Sequence, residues 1–564
     1  MPSLILAVLS GVLLGAAFPP SPVGVLSFIA FVPLIVLLDQ RAMKMSRLSI
    51  IGALYVVFVI YHGITNWWIC SWQEKTDPYL FASGLVLWLM HPLFLSLPFY
   101  VLASIRRRLG RPWLLLFAPF TITGFEWLHG QTEASYPWLT TGYTLVYTPF
   151  VQVAEFVGVY GLTFLIVCVN VSLAFWLLTR RASKPRSMLA HRLLLALGAG
   201  MATWLAAGIY LQHQATSDLG RSDDGRSKSI DVAVVQPNED PWDKWSDPRE
   251  QVRVHVTMTD SIRALGFHPD LFLWSETAVP YTIRTSAYGQ DWETLKRWVD
   301  TSAFSLLTGY ADHYVYEHGE EPPSARRSQS SPGMRYDIFN AAMVINANQD
   351  DVPVHRKTML TPFAERLPFA DKLTFAMSWI EWGVGISAWG LGRERKPLAV
   401  VKWREAGIDT VANMGTIICI ESIYPEVARD LVINGADVLC VITNDAWYNG
   451  TWGPQQHYDI GRMRAVEQRR TVVRCAMSGV SGFILPNGQS IEGDRSLHQA
   501  RVASTIDPLT KGVAMATIAT SNEVTFYARV GDVIPQIGLA ASLLIAILAR
   551  FSAVVRNMRV YTDQ

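Results

Sequence analysis

Long hydrophobic runs fill both ends of the chain, whereas its middle mixes polar and apolar positions as a water-soluble domain does. The candidate spans are Leu4–Phe18, Val25–Leu38, Ile50–Cys70, Leu80–Ser104, Trp113–Leu128, Val151–Leu178, Leu193–Leu211 and Ile534–Phe551. A helix of about 17–25 apolar residues can cross a bilayer. The pattern therefore predicts a polytopic α-helical membrane bundle, with about seven helices in residues 1–211 and one more, followed by a tail, in residues 533–564.

The first run could instead be the apolar core of a signal peptide. Leu4–Phe18 has no basic leader, and it is followed by Pro19-Pro20 and a second apolar run. Signal peptides combine a positively charged N-terminal region with a cleavage site of small residues, so we interpret this run as a membrane helix.

Between the membrane runs, short apolar stretches alternate with helical patterns in residues 212–532. The predicted strands are Ile230–Gln236, Asp270–Ser275, Phe304–Tyr310, Asn340–Ile345, Thr416–Ile418 and Asp437–Thr443, and Leu497–Thr517 is expected to add edge strands. Alternation of this kind is typical of an α/β domain. The segment Tyr316–Met334 is polar and rich in Ser, Pro, Glu and Arg, so we interpret it as a surface insertion or mobile loop without chemistry of its own.

Positive charge is distributed unevenly among the loops, and this distribution predicts the orientation of the chain. The basic residues that follow alternate spans are Arg41, Lys44, Arg47, Arg106, Arg107, Arg108, Arg111, Arg180, Arg181, Lys184, Arg186, Arg192, Arg550, Arg556 and Arg559. The loops Pro19–Gly24, Trp72–Tyr79 and His129–Pro149 carry almost no Lys or Arg. Because cytoplasmic loops are enriched in these residues, both termini are expected in the cytoplasm of a bacterium and residues 212–532 on the periplasmic side of its inner membrane. The formal net charge of +1 gives no indication of a nucleic-acid partner.

Three of the five cysteines belong to the predicted soluble domain, and one of them stands out as a nucleophile. Cys440 and Cys475 fall inside apolar, strand-like runs, where a buried and inert thiol is expected. Cys419 ends the run Thr416–Ile418 and precedes the helical spacing of Glu421–Leu431. A thiol at the N-terminal end of a helix faces the positive end of the helix dipole, so we predict a lowered pKa and a reactive thiolate at Cys419.

Two further stretches carry charged groups that could assist a nucleophile. Glu276 ends the stretch Leu271-Phe-Leu-Trp-Ser-Glu276, and Lys357 begins the stretch Lys357-Thr-Met-Leu-Thr-Pro-Phe-Ala-Glu365. A nucleophile that attacks a carbonyl carbon needs a base for its proton and a cation for the oxyanion that forms. Metal chemistry is not indicated, because the sequence has neither a His-x-x-x-His nor a Cys-x-x-Cys pair.

These stretches together resemble the nitrilase, or carbon–nitrogen hydrolase, superfamily, whose catalytic glutamate, lysine and cysteine follow one another in this order. The matching motifs are Trp-Ser-Glu276-Thr-Ala, the stretch from Lys357 to Glu365, and Cys419-Ile-Glu421. In the membrane region, Glu126-Trp-Leu and Pro137-Trp-Leu resemble the apolipoprotein N-acyltransferases, a branch that carries a nitrilase-like domain on a bundle of membrane helices. The resemblance implies an α-β-β-α sandwich for residues 212–532.

The resemblance also implies a role for each matching residue. Glu276 would act as general base, and Lys357 would stabilise the thiolate and the tetrahedral oxyanion. Glu365 would orient Lys357 or assist proton transfer, and Glu421 matches the acidic residue two positions after the nucleophile. The substrate-binding residues implied by family position are Trp245, Asn340, Asn444, Trp447 and Tyr448, with Trp245 in a loop that could cover lipid. This chain departs from the family pattern at Ser275 (Pro in the family), Ala364 (Gly), Ile420 (Tyr) and His129 (Arg).

By the same resemblance, the chain is expected to transfer an acyl chain from a membrane phospholipid to the α-amine of diacylglyceryl-cysteine in apolipoproteins, the last step of lipoprotein maturation. A Cys419 thioester would link the two half-reactions of a ping-pong mechanism, without cofactor or metal, and the protein would work as a monomer among membrane lipids. One alternative is a membrane-tethered amidase or nitrilase that passes the acyl group to water. A second is a transporter or scaffold with a degenerate enzyme domain, which would require a broken catalytic set, and the sequence shows none.

Overall fold

The computed structural model describes residues 3–72, 76, 78–180, 184–217, 228–240, 247–328, 331, 333–372, 389–404, 407–448, 450–491, 502–503 and 505–562. The chain divides into two compact units. One unit comprises Met1–Ser71, Phe81–His213 and Val530–Gln564, and the other comprises Trp72–Leu80 and Gln214–Arg529. The first is helical, and the second is built from two β-sheets and the helices that cover them.

The helical unit consists mainly of long apolar helices. Its α-helices are α1 (Ser3–Ala17), α2 (Ser27–Ala30), α3 (Val32–Arg41), α4 (Arg47–Thr65), α5 (Pro78–Leu109), α6 (Arg111–His129), α7 (Ala154–Thr179), α8 (Lys184–Ser217) and a C-terminal helix (Val533–Thr562). Among the described residues, six stretches are long and apolar enough to cross a membrane: Gly24–Arg41, Arg47–Thr65, Leu80–Leu109, Pro149–Thr179, Ser187–Ala215 and Val533–Phe551. The first and fifth candidate runs of the sequence form helices α1 and α6, which are not among these six; α1 has 15 residues.

The second candidate span is interrupted rather than continuous. A 3₁₀ turn (Gly24–Leu26) leads into α2, and Phe31 separates α2 from α3. The Asn170 side chain in α7 bonds both sides of this break: its Oδ1 accepts from the Phe31 N–H at 2.8 Å, and its Nδ2 donates to the Ser27 carbonyl at 2.8 Å. Backbone N–H and C=O groups without a hydrogen-bond partner are costly in lipid. The buried amide of Asn170 supplies partners for two backbone groups at the interruption, the Phe31 N–H and the Ser27 carbonyl.

The second unit contains two mixed β-sheets. Its strands are β1 (Ser229–Gln236), β2 (Leu271–Trp274), β3 (Ser305–Val315), β4 (Arg326–Arg327), β5 (Arg335–Ile345), β6 (Val354–Arg356), β7 (Leu398–Arg404), β8 (Gly407–Ile418), β9 (Val438–Thr443), β10 (Val472–Ala476), β11 (Ser481–Ile484), β12 (Val502–Ala503), β13 (Thr505–Ile506) and β14 (Gly512–Ala519). The first sheet has the order β12-β14-β1-β2-β3-β5-β4, with β6 beside β5, and the second has the order β13-β11-β10-β9-β8-β7. Strands β1 to β3 and strands β8 to β10 run parallel within their sheets.

Helices cover the outer faces of the two sheets. The helices of this unit are α9 (Pro248–Ala264), α10 (Gly289–Ser302), α11 (Pro425–Ile433), α12 (Gly453–Gln468) and α13 (Phe526–Val530). Val232 and Leu273 of the first sheet pack with Ile418 and Ile442 of the second in one buried core. Side chains of α9 and α10 pack on the other face of the first sheet, and α11 and α12 contact β8 and β10 of the second. This arrangement confirms the expected α-β-β-α sandwich.

The residues predicted to carry chemistry follow strands, either directly or after one intervening residue. Glu276 comes after β2, Cys419 after β8 and Asn444 after β9, each at the carboxyl end of a strand in a parallel set. Lys357 directly follows β6, which pairs with β5. Binding crevices of α/β proteins lie outside the carboxyl ends of parallel strands, so the fold places these side chains where a ligand site is expected.

One prediction of local structure is wrong, and for a second segment one of the two predicted alternatives is excluded. The helix expected over Glu421–Leu431 is a 3₁₀ turn at Cys419–Ile423, followed by α11, which begins at Pro425 because proline suits the first turn of a helix. The segment Tyr316–Met334 is not a mobile loop throughout, because it contains strand β4, which pairs in antiparallel fashion with β5.

Candidate active site

The Lys357 ammonium lies between two carboxylates in the interior of the α/β unit. Its Nζ donates to Glu276 Oε1 at 3.2 Å and to Glu365 Oε1 at 2.8 Å. Lys357 is 1% exposed, Glu276 6% and Glu365 8%. Buried charges are stable only when they are paired, so these three side chains form one ionic unit with a single negative charge in excess.

Uncharged neighbours fix the carboxylate oxygens of this ionic unit. Asn340 Nδ2 donates to Glu276 Oε1 at 2.7 Å and to Glu365 Oε1 at 3.1 Å. The Asn444 N–H donates to Glu276 Oε2 at 2.9 Å. The N–H and the hydroxyl of Thr361 both donate to Glu365 Oε2 at 2.8 Å. Every carboxylate oxygen therefore has a donor, and both side chains are held in one orientation.

The ionic unit keeps its lysine charged. Burial disfavours the ammonium of Lys357, but the attraction of Glu276 and Glu365 outweighs burial and raises its pKa well above the usual value. Burial alone would raise the pKa of Glu365, whereas its contacts with Lys357 and Thr361 bring that pKa below the usual value. A lysine that stays protonated acts as an electrostatic stabiliser rather than as a nucleophile.

Cys419 lies where strand β8 ends, in a left-handed backbone conformation with φ of +52°. Such a φ costs a non-glycine residue about 1–2 kcal/mol, and strain of this kind clusters at active sites. The residue is partly exposed. The charges of Glu276, Lys357, Asp445 and Glu365 all act on its thiol, so the sulfur lies within electrostatic reach of the ionic unit.

The predicted thiolate at Cys419 is wrong for the resting protein. Burial, and then the negative charge of Glu276, raises the pKa of the thiol, while Lys357 acts in the opposite direction. The helix dipole has little influence here, because its effect falls off within one turn and α11 begins only at Pro425. Cys419, the candidate nucleophile, therefore favours the protonated thiol, which needs a base before it can react.

Glu421 joins two segments of the site. Its Oε1 accepts from the N–H and the hydroxyl of Thr358 at 2.6 and 2.7 Å. Its Oε2 accepts from the Ile418 N–H at 2.7 Å and lies 3.3 Å from His355 Nε2. Burial would raise the pKa of this carboxyl, but His355 and the backbone donors lower it to about 2. Glu421 therefore ties the segment after β6 to the end of β8.

A second network, which was not predicted from the sequence, supports the backbone of the nucleophile. His457 Nε2 lies 3.1 Å from the Cys419 carbonyl oxygen and 2.8 Å from Ser422 Oγ. Its Nδ1 lies 2.8 Å from Asp445 Oδ1, and Arg474 Nη2 donates to Asp445 Oδ2 at 2.6 Å. Asp445 lies beside the predicted residue Asn444 in the sequence, whereas no spacing rule connects His457 with a cysteine 38 residues earlier.

The other predicted substrate-binding residues fall into three groups. Asn340 and Asn444 contact the ionic unit directly. Trp447 and Tyr448 are half-buried in the 3₁₀ turn that follows Asn444. Trp245 lies outside the described residues. Within the described part of the chain, no group of His, Cys, Asp or Glu is suited to hold a metal ion.

Two family models match the chain. The apolipoprotein N-acyltransferase N-terminal domain matches residues 10–172, and the carbon–nitrogen hydrolase family matches residues 231–525. An apolipoprotein N-acyltransferase from Chlorobaculum tepidum is 30% identical over 560 residues, which cover 96% of each chain. One from Geobacter metallireducens is 29% identical over 550 residues, covering 97% of this chain and 95% of the relative. Among solved structures, a carbon–nitrogen hydrolase from Helicobacter pylori is 12% identical with a TM-score of 0.34, covering 54% of this chain and 92% of that chain.

Similarity to the two relatives extends over nearly the whole chain, including both the helical unit and the α/β unit. The first family model and the long apolar helices identify a membrane protein. The second family model matches the unit that holds Cys419 and the ionic unit. The chain therefore belongs to the apolipoprotein N-acyltransferase family, a membrane branch of the carbon–nitrogen hydrolases.

Proposed function

We propose that this protein transfers an acyl chain from a membrane phospholipid to the α-amine of diacylglyceryl-cysteine at the start of apolipoproteins, through a thioester on Cys419. Its relatives in Chlorobaculum tepidum and Geobacter metallireducens are named apolipoprotein N-acyltransferases. Both substrates are held in the bilayer, and covalent attachment to membrane helices raises the effective concentration of the catalytic unit there.

The same proposal extends to topology and assembly. The basic residues of alternate loops support a catalytic domain at 212–532 in the periplasm and both termini in the cytoplasm, with the membrane domain at 1–211 and a last helix and tail at 533–564. One chain carries every group that the mechanism needs, which supports action as a monomer. The membrane in question is then the bacterial inner membrane, where both lipid substrates are available.

In the first half-reaction, the Cys419 sulfur attacks the carbonyl carbon of a phospholipid ester. Because the resting thiol is protonated, Glu276 accepts its proton as the C–S bond forms. The carbonyl oxygen becomes an oxyanion, which the Lys357 ammonium stabilises. The ester C–O bond then breaks, the glycerol oxygen takes the proton from Glu276, and a lysophospholipid leaves.

In the second half-reaction, the neutral α-amine of the acceptor attacks the thioester carbonyl. Glu276 takes a proton from the attacking nitrogen while Lys357 again faces the oxyanion. The C–S bond breaks, Glu276 returns the proton to sulfur, and the amide product leaves. Protons balance over the cycle, and Glu365 keeps Lys357 charged and oriented throughout.

The position of Lys357 between two buried carboxylates is the observation on which this mechanism depends. A lysine can serve as a base only after losing its proton, and Glu276 and Glu365 at 3.2 and 2.8 Å oppose that loss. Glu276 is then the base available to the thiol, and general-base catalysis contributes about 10²–10⁴-fold to a rate.

The test is an intact-mass measurement on the full-length protein in detergent micelles that contain phospholipid. We expect a mass increase of one acyl group, localised to the peptide that holds Cys419, in the wild type and not in Cys419→Ala. Cys440→Ala is the matched control and should keep the adduct, because that thiol is buried in the core. A diacylglyceryl-cysteinyl peptide added afterwards should discharge the adduct and gain one acyl chain on its amine.

Two results would overturn the proposal at different points. An adduct of wild-type abundance on Cys419→Ala would show that another residue is the nucleophile. Release of free fatty acid without any acylated peptide would identify an enzyme that passes the acyl group to water, as the carbon–nitrogen hydrolase alternative requires.

A further inference from the structure

The polar segment 316–326 contacts the loop that carries Glu365. Ser324 Oγ donates to Asp371 Oδ1 at 2.5 Å and accepts from Arg366 Nη2 at 2.8 Å. Arg366 Nη2 also donates to Asp371 Oδ1 at 3.2 Å, and the Ser324 N–H reaches the same oxygen at 3.3 Å. Ser324, Arg366 and Asp371 therefore form a closed set of contacts, the Ser324 brace.

The segment is itself anchored to the first sheet. The Tyr316 hydroxyl donates to Asp337 Oδ2 at 2.9 Å, and Arg335 Nη1 donates to the Ala325 carbonyl at 2.8 Å. Strand β4 pairs with β5, and Ala325 is 5% exposed. Because both of its ends are fixed, the segment presents Ser324 from a rigid support.

On the loop side, the brace acts on the residue directly after Glu365. Arg366 Nη1 donates to the Trp389 carbonyl at 3.2 Å, and the Trp389 N–H donates to the Glu365 carbonyl at 3.2 Å. Phe363 and Phe369, which flank this pair, have φ of +63° and +59°. Left-handed residues other than glycine persist only where their surroundings hold them, so the loop depends on such external contacts.

The charges around Arg366 favour the observed geometry. Its guanidinium pairs with Asp371, and the carboxyl of Asp337 also faces it. Arg366 is 8% exposed, and a buried guanidinium without acceptors would be costly. Loss of the Ser324 hydroxyl therefore removes one of the acceptors that fix this side chain.

We infer that the Ser324 brace positions Glu365 against Lys357, so that segment 316–326 is a working part of the catalytic unit. This inference rests on the function proposed above, because Glu365 serves acyl transfer through Lys357. The two side chains are 2.8 Å apart, and a loop shift of about 1 Å is enough to weaken their contact and slow catalysis. With Glu365 displaced, the Lys357 charge is less neutralised and acts more strongly on the Cys419 thiol.

The experiment compares Ser324→Ala with Arg327→Ala in the full-length protein. For Ser324→Ala we expect kcat of peptide acylation to fall roughly ten-fold at an unchanged KM for the peptide. The pH profile of Cys419 alkylation by iodoacetamide should also move to lower pH, since the thiol ionises more easily. Arg327, which directly follows this segment, has an exposed side chain outside the Ser324 brace and should leave all three quantities at their wild-type values when replaced by alanine.

Two further variants separate positioning from folding. Arg366→Lys keeps the charge and should retain more activity than Arg366→Ala. Ser324→Ala added to Arg366→Ala should cause little further loss, because the Ser324 hydroxyl reaches the residue after Glu365 through Arg366. Where Arg366→Ala does not fold, Ser324→Ala alone carries the test, since it removes a single hydroxyl.

Failure of this inference and failure of the proposed function give different results. A wild type that forms the acyl-enzyme, together with a Ser324→Ala variant of unchanged kcat and unchanged alkylation profile, would overturn the brace alone. A lower melting temperature of Ser324→Ala without any shift of the alkylation profile would do the same, since it shows a merely structural contact. A wild type that forms no acyl-enzyme would overturn the function itself.

Discussion

Lys357→Met removes the ammonium that holds two buried carboxylates together and keeps a side chain of similar length. Glu276 and Glu365 would then face each other and share the Asn340 amide as their common donor. Methionine is flexible and apolar, so it can fill the space left by the lysine stem. We expect this variant to be less stable than the wild type and unable to form the acyl-enzyme at a useful rate.

The magnitude follows from the two distances. At 3.2 and 2.8 Å, and with an effective dielectric constant of about 20, each carboxylate attracts the ammonium by about 5–6 kcal/mol before desolvation is subtracted. Removing one partner of a buried pair costs about 3–5 kcal/mol, because the remaining charge is left uncompensated. One carboxyl is expected to take up a proton, which limits the loss of stability and disables either the base or its partner. Loss of the oxyanion contact lowers the rate by a further factor of about 10²–10³.

The assay is a single-turnover measurement of acyl-enzyme formation by intact mass, with the melting temperature followed by intrinsic fluorescence. The double variant Lys357→Met/Glu365→Gln is the matched control. It removes one charge of each sign, so part of the lost stability should return while acylation stays slow. Stability and rate are thereby separated in the same chain.

Acyl-enzyme formation by Lys357→Met at the wild-type rate would refute the reasoning, because the oxyanion would then depend on other donors. An unchanged melting temperature would contradict the ionic unit, since two buried carboxylates cannot lose their shared cation without cost. A double variant as unstable as the single one would show that the lost stability comes from packing rather than from unpaired charge.

Three further predictions concern groups around the site. The pKa of Glu421 is about 2 in the fold against an ordinary 4.5. Its carboxylate therefore stabilises the folded state fully above pH 4.5, and this stabilisation is lost as the pH falls towards 2. This group contributes about 3 kcal/mol to the free energy of unfolding at neutral pH. We therefore expect the melting temperature of Glu421→Gln to fall less steeply between pH 4.5 and pH 2 than that of the wild type. His457→Ala should slow acyl-enzyme formation about ten-fold in single turnover by releasing the Cys419 carbonyl, and a wild-type rate would contradict that role. Cys440→Ala and Cys475→Ala should retain iodoacetamide labelling at Cys419 in peptide mapping, because both replaced thiols are buried in the core whereas Cys419 is partly exposed; loss of labelling in either variant would contradict this.

Much of the α/β unit could be predicted because its parallel strands are buried on both faces. Such strands read as near-continuous apolar runs, as in Leu271–Trp274 and Val438–Thr443, and the first polar residue after each run marks the end of the strand. Asn444 directly follows one of these runs, and Glu276 follows the other after Ser275. Their convergence on Lys357 is a property of the sandwich, and the resemblance to a family supplied it before the fold was known.

Contacts between distant segments could not be predicted in the same manner. His457 lies 38 residues from the carbonyl that it contacts, and Ser324 lies 42 residues from Arg366. Strand β4 has two residues, too few for any hydrophobic period, so the polar composition around it indicated a loop. Side chains of this kind acquire a role only when packing brings their segments together.

The resting state of Cys419 shows how tertiary burial overrides a local signal. The strand-to-turn junction favours a thiolate, but desolvation and the nearby Glu276 raise the pKa of the thiol, and the first α-helical turn begins too late to oppose them. A protonated thiol reacts slowly with oxidants, because the thiolate is the reactive form. We therefore expect the Cys419 thiol to resist oxidants until an ester carbonyl lies beside it, when, in the proposed mechanism, Glu276 takes its proton in the same step that forms the thioester.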